Sequence, residues 1–147
     1  CLKPTDVYSA TKAAFSSLIH GWAVDCNVKV KNLRLFQVYG RGENEKRLYP
    51  SVKKAIKNGA DFRMSSGSQI RDFINVIDVI NIIIEELDFN NCEKGSPYYR
   101  NIGNGKGISV KSFVTELWNK KKAKGKIIID NNLKSTNIVK RYVSKQN

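Results

Sequence analysis

Apolar positions change their spacing several times along the chain, and each change marks an element. After Pro4 and Thr5, the small and apolar residues Ala10, Ala13, Ala14, Leu18 and Ala23 fit a helix to about Asp25 with a face suited to close packing. Val28 to Val38 begins with alternation at Val28 and Val30 and continues into Leu33, Leu35, Phe36 and Val38, which reads as one buried strand in a sheet covered on both faces. Tyr39-Gly40-Arg41-Gly42 breaks it, opening the strand's C-terminal end where open α/β sheets place ligands. A helix from Leu48 to Asn58 closed by Gly59, a strand from Phe62 to Ser65, a Ser66-Gly67 turn and a strand from Ile70 to Val76 come next. Asp78 is the expected N-cap of an apolar helix to about Leu87, and Asn90 to Pro97 a loop. Tyr98 to Ile102 is a strand, Ser109 caps a helix to about Lys122, and Lys126 to Ile129 is the last strand. Strands alternating with helices place the chain in the α/β class.

Within the first helix, Tyr8 and Lys12 are four residues apart, slightly more than one turn, so phenol and ammonium share a face. A free tyrosine has a pKa of about 10, and a fixed cation beside it favours the phenolate. Such a pair can act as a general acid and base. It can equally be a solvated tyrosine lying against a lysine stem, the ordinary outcome of that spacing.

Three further segments lie downstream of the Tyr8…Lys12 pair: Arg34-Leu35-Phe36-Gln37-Val38-Tyr39-Gly40-Arg41-Gly42, then Gly67-Ser68-Gln69-Ile70-Arg71-Asp72-Phe73-Ile74-Asn75-Val76-Ile77-Asp78, then Asn101-Ile102-Gly103-Asn104-Gly105 leading into Ile108-Ser109-Val110. In this order they resemble the extended short-chain dehydrogenase/reductase family, the NAD-dependent epimerases and dehydratases of nucleotide sugars. The resemblance implies the C-terminal part of a Rossmann-type doubly wound parallel sheet plus a small α/β substrate-binding domain. Residues 1–43 would belong to the dinucleotide-binding domain, and residues 44–147 mostly to the nucleotide-sugar region, interleaved with late Rossmann elements. No glycine-rich pyrophosphate turn precedes Tyr8, and the chain opens on Cys1, so it is expected to be a piece of a longer protein, truncated at both ends. Gly103, Gly105 and Gly107 come too late for that fingerprint and read as a turn between strand and helix.

The resemblance also implies roles. Tyr8 matches the catalytic acid/base, and Lys12 the lysine that binds the nicotinamide ribose and lowers the tyrosine pKa. Leu35 and Phe36 match positions lining the nicotinamide and the sugar. Gln37 replaces an asparagine that contacts the substrate diphosphate, Arg71 matches an arginine paired with that diphosphate, and Arg141, in Lys140-Arg141-Tyr142, a second one. Arg41 stands where the family commonly has proline. For Arg71-Asp72 the residues alone suggest a local ion pair. Implied cofactors and partners are NAD or NADP and a nucleotide-activated sugar, with a homodimer in the full-length protein through the helix carrying Ala13, Ala14, Ser17 and Trp22. Tyr8 accepting a sugar hydroxyl proton leads to an epimer, a dehydrated keto sugar or, in reverse, a reduced one. The Arg47-Leu48-Tyr49-Pro50-Ser51-Val52 run followed by Gly67-Ser68-Gln69-Ile70-Arg71-Asp72 looks more like members that reduce or epimerise deoxysugars for surface polysaccharides than like the UDP-galactose epimerase type. The alternative from another class is an inactive sugar-nucleotide-binding or interaction remnant lacking the cofactor fingerprint.

The formal charge of +13 and the Lys120-Lys121-Lys122-Ala123-Lys124-Gly125-Lys126 run raise nucleic-acid binding. No aromatic interleaves the run and no nucleic-acid motif accompanies it, so the charge reads as abundant lysine, with the run ending a helix against its dipole. No nucleic-acid partner is expected. No apolar stretch approaches the roughly 20 residues of a membrane span, and none is expected. Cys1, Cys26 and Cys92 form no Cys-x-x-Cys and His20 is the only histidine, so no metal site and a reduced, cytoplasmic setting are expected. The lone His20, without a nucleophile elbow, argues against a Ser-His-Asp hydrolase.

Overall fold

The computed structural model describes residues 4–133 and 141–144, the side chains of Arg141 and Tyr142 excepted. Cys1 lies outside the described residues. Helix α1 (Val7–Asp25) starts at Asp6, whose carboxylate accepts from the Ser9 N–H at 2.6 Å while the Ser9 hydroxyl accepts from the Asp6 N–H. This reciprocal capping box satisfies amides that a helix start leaves orphaned, and the Ser9 amide holds the Asp6 carboxyl below the usual carboxylate range.

After α1 the expected single strand is two. Strand β1 (Lys31–Leu35) pairs in parallel with β6 (Tyr98–Ile102), and β2 (Gln37–Tyr39) pairs in parallel with β5 (Phe73–Asn75). The handover occurs at Phe36, whose N–H donates to Ile102 O before the Gln37 N–H donates to Asp72 O, both at 3.0 Å. Apolar spacing cannot reveal a change of partner, so the run read as continuous. The 70–76 strand divides likewise into β4 (Ile70–Arg71) and β5 around Asp72.

Helix α2 (Leu48–Asn58) ends at Gly59, which adopts φ 63°, the left-handed conformation that stops helices. Strand β3 (Phe62–Met64) pairs in parallel with β8 (Ile127–Ile129). Helix α3 (Val76–Glu85) is capped by Asn75, whose side chain accepts from the Ile77 N–H at 2.9 Å; Asp78, the expected cap, sits in its first turn. The chain reaches the helical geometry directly out of β5, three residues earlier than the apolar pattern suggests. Helix α4 (Val110–Lys120) has Ser109 as its cap, as expected. Strand β4 is flanked by antiparallel β7 (Ile108–Ser109) and parallel β9 (Arg141–Tyr142).

Two apolar clusters result. One joins Val52 of α2, Met64 of β3, Phe73 of β5, and Val110, Phe113, Val114 and Trp118 from α4. Within it Phe73 stacks on Phe113 with ring centroids 3.8 Å apart, and Tyr39 meets Phe113 edge-on at 4.9 Å. The other joins Ile74, Val79 and Ile102, with Leu33, Val38, Ile82 and Ile83 against them. An ion-pair cluster closes the far end of this second unit: Glu86, the C-cap of α3, takes Lys31 Nζ from β1 at 2.7 Å and Arg100 Nη1 from β6 at 2.5 Å.

Candidate active site

Tyr8 stands in the first turn of α1, 72% exposed, with Lys12 Nζ 5.5 Å from its ring centroid. The shared helix face expected from their spacing therefore forms, and the phenol is open to a ligand. The helix is tied to the sheet further along, where Asn32 Nδ2 donates to Ser16 Oγ at 3.3 Å and His20 Nδ1 meets the Tyr99 hydroxyl at 2.9 Å. His20 thus has a surface hydrogen bond.

Leu35 closes β1 and is 46% exposed, and the half-buried Phe36 sits just beyond it at the handover. One residue on, Gln37 is paired with Phe73 in the β2–β5 ladder. Arg71 lies in β4, buried, with Nη1 donating to Ile70 O at 2.7 Å. Burial pulls its guanidinium below the usual arginine value, yet an arginine remains a cation at any working pH. Arg141 is opposite Ile70 in the β4–β9 register; its side chain lies outside the described residues. The fold thus puts Arg71 and Arg141 on the paired strands β4 and β9, with Gln37 at the start of β2, where its N–H donates to Asp72 O beside Arg71, while Tyr8 and Lys12 arrive on α1.

One residue gains an importance that sequence reasoning missed. The Asp72 carboxylate is fully buried, and Oδ1 accepts from the Asn104 N–H at 2.8 Å while Oδ2 accepts from the Gly105 N–H at 2.9 Å and the Ser144 N–H at 3.0 Å. The Ser144 hydroxyl also donates to Oδ2. Backbone amides, which have no sequence signature, occupy a carboxylate that the residues suggested as an ion-pair partner. The only available signal was an acidic residue inside an apolar strand run, which demands partners wherever it is buried.

Two open hollows flank these elements. A groove of about 470 Å³ lies between the Gly40–Glu45 loop and the outer face of α2, with Arg41, Lys53, Lys54 and Lys57 along it. A smaller one of about 270 Å³ is lined by Ser16, Ser17, His20, Arg34 and Tyr99. Among the described residues no group of three His, Cys, Asp or Glu side chains could hold a metal ion, and no helix is long and apolar enough to cross a membrane. Cys26 and Cys92 are both free thiols.

The model of the NAD dependent epimerase/dehydratase family matches residues 1–103. CDP-abequose synthase of Salmonella typhimurium is 34% identical over 113 residues, a match that covers 76% of this chain and 38% of the relative. UDP-glucose 4-epimerase of Corynebacterium glutamicum is 32% identical over 127 residues, with the same shares of each chain. Among solved structures, UDP-glucose 4-epimerase of Thermotoga maritima with UDP-glucose superposes with a TM-score of 0.84 at 17% identity, over 97% of this chain and 45% of that one. The superposition shows a shared Rossmann-type α/β fold. The chain spans 38% of the length of the two curated relatives. Since the family model runs over the Tyr8–Lys12 helix, the β1–β2 handover and the Arg71 strand, the chain belongs to the NAD-dependent epimerase/dehydratase family.

Proposed function

We propose that the protein acts on a nucleotide-activated sugar with NAD or NADP as cofactor, Tyr8 serving as the acid and base at a sugar hydroxyl. The observation that carries this reading is the exposed Tyr8 phenol with the Lys12 ammonium over its ring, in a chain of this family. The residues suit a dinucleotide. An ammonium and a phenol are good partners for ribose hydroxyls, and Leu35 and Phe36 offer apolar surface to a planar ring at the end of β1. When bound, the nicotinamide supplies a hydride acceptor and donor.

Tyr8 takes the proton of the hydroxyl on the carbon being oxidised and gives it back when that carbon is reduced. Lys12 offers the phenolate an opposite charge one turn away. Arg71, a permanent planar cation, meets the substrate diphosphate, with Gln37 and Arg141 contributing from β2 and β9. Relatives named for CDP- and UDP-sugars support the nucleotide-sugar class. Epimerisation, dehydration and reduction share this first exchange and differ in the later steps. Residues 1–43 serve the cofactor side and the later elements mostly the substrate side, and copies pair through α1, whose Phe15, Leu18 and Trp22 face outward.

The test is Tyr8→Phe, assayed for turnover of UDP- and CDP-hexoses with NAD or NADP. Turnover is expected to fall by about 100-fold or more, the usual scale of a lost general acid/base. The thermal midpoint should stay put because the hydroxyl makes no buried contact. Wild-type turnover in the variant would remove Tyr8 from the reaction.

A further inference from the structure

We propose that Asp72 is a positioning residue for diphosphate recognition, its buried carboxylate fixing the strand that carries Arg141 against the strand that carries Arg71. This rests on the proposed function, in which those two arginines meet the diphosphate.

A carboxylate without solvent is tolerated only when its lone pairs are filled. Those of Asp72 are filled by donors from two distant stretches of chain: the Asn104-Gly105 turn after β6, and Ser144 two residues beyond β9. Strand β9 is only Arg141–Tyr142 long, too short for ladder hydrogen bonds alone to hold it. A slip of one residue would turn every side chain of such a strand to the opposite face. Ser144 prevents that slip because both its amide and its hydroxyl are bound to Asp72 Oδ2.

The fit leaves no slack. A Cβ on Gly103 would stand 2.5 Å from Asp72 Oδ2 and 2.6 Å from Ser144 Oγ, so only glycine lets the turn approach the pair. The main chain of Asp72 completes the arrangement, since its carbonyl accepts the Gln37 N–H at 3.0 Å. One residue therefore ties together the three strands that bear Gln37, Arg71 and Arg141. Asp72 itself meets no substrate; it acts through the register of its neighbours.

The experiment measures UDP and UMP affinities, by calorimetry, for the wild-type protein, Asp72→Asn, Ser144→Ala and the double variant. Asparagine keeps the shape but turns an NH2 towards donors. The preference for UDP over UMP is expected to drop by about tenfold in Asp72→Asn, the scale of a misplaced charge-assisted contact, and by less in Ser144→Ala. The double variant should lose no more than Asp72→Asn, because both act through one contact. A general weakening of the fold would lower both affinities in proportion, and that outcome overturns the proposal, as does an unchanged UDP preference in the variants. If Asp72→Asn does not fold, Ser144→Ala alone decides, since it removes a single oxygen. A wild-type protein that prefers neither UDP over UMP nor, in the same titration, CDP over CMP would instead sink the diphosphate reading on which this one stands.

Discussion

The cluster around Phe113 is enclosed by its own chain, whereas the layer of α1, β1, β6 and α3 buries one face and leaves the other apolar and open. In the first unit all seven cluster members are at most 8% exposed. In the second, Phe15, Leu18 and Trp22 line the outside of α1, and Ile77, Ile80 and Ile84 the outside of α3, all at least 45% exposed. Each set recurs at three- and four-residue spacing, so these are stripes on one helix face and not scattered residues. The lesson is that hydrophobicity here is divided between an enclosed core and exposed apolar helix faces.

The largest effect should come from cutting into the enclosed cluster. Phe113→Ala removes a ring stacked on Phe73 and met edge-on by Tyr39, and is expected to cost about 4 kcal/mol in urea unfolding, transfer and cavity together. Leu18→Ser on the open stripe should change stability by less than about 0.5 kcal/mol, because Leu18 is already 67% exposed. Similar losses from the two substitutions would abolish the distinction between the regions.

Next comes the ion-pair cluster that fastens the open layer. Glu86→Gln leaves the Lys31 ammonium without its counter-charge and is expected to lower the urea midpoint by less than Phe113→Ala does. The pH dependence has a definite sign. Lys31 first, then Arg100, hold the Glu86 carboxyl below its ordinary value of 4.5. Its contribution is therefore fully present above that value and is lost as pH falls through the lower, folded-state one. Urea midpoints of wild type and Glu86→Gln should converge as the solution is acidified from about pH 5 towards pH 3, while Phe113→Ala keeps its deficit.

How much of this was legible in the sequence differs between the two regions for physical reasons. Helix α2 stands between the bounds read from Leu48, Asn58 and Gly59, with the left-handed Gly59 ending it, and β6 runs between Tyr98 and Ile102 as its apolar pattern indicates. The Tyr8–Lys12 face was legible too, since helical spacing alone puts the two side chains together. Long-range choices left no such trace. Phe36 changes sheet partner in the middle of an apolar run, and Asp72 receives amides from positions 104, 105 and 144. Glu86 was similarly silent: its partners Lys31 and Arg100 meet it only once β1 and β6 lie side by side.

A second carboxylate should behave in the opposite sense to Glu86, with the smallest effect. Glu43, in the loop between β2 and α2, has Arg47 Nε no nearer than 4.0 Å, and its Oε2 is buried with no hydrogen-bond partner among the described residues. Burial pushes its carboxyl above 4.5, with Arg47 and the Gly40 backbone pulling only partly back. Here the folded state keeps its proton to higher pH than the unfolded chain does. Stability from this group is therefore gained as pH falls through the raised value, and the ionised form costs stability above it. Glu43→Gln carries no charge at any pH and should stabilise the protein at neutral pH by about 0.5 kcal/mol, the size expected for relieving one poorly solvated group at the edge of the fold. The gain should vanish on acidification, where wild type protonates, so the two carboxylate variants approach wild type from opposite sides in urea midpoints taken across the same acid range. A Glu43→Gln protein less stable than wild type at neutral pH would mean that Arg47, and not burial, dominates this loop.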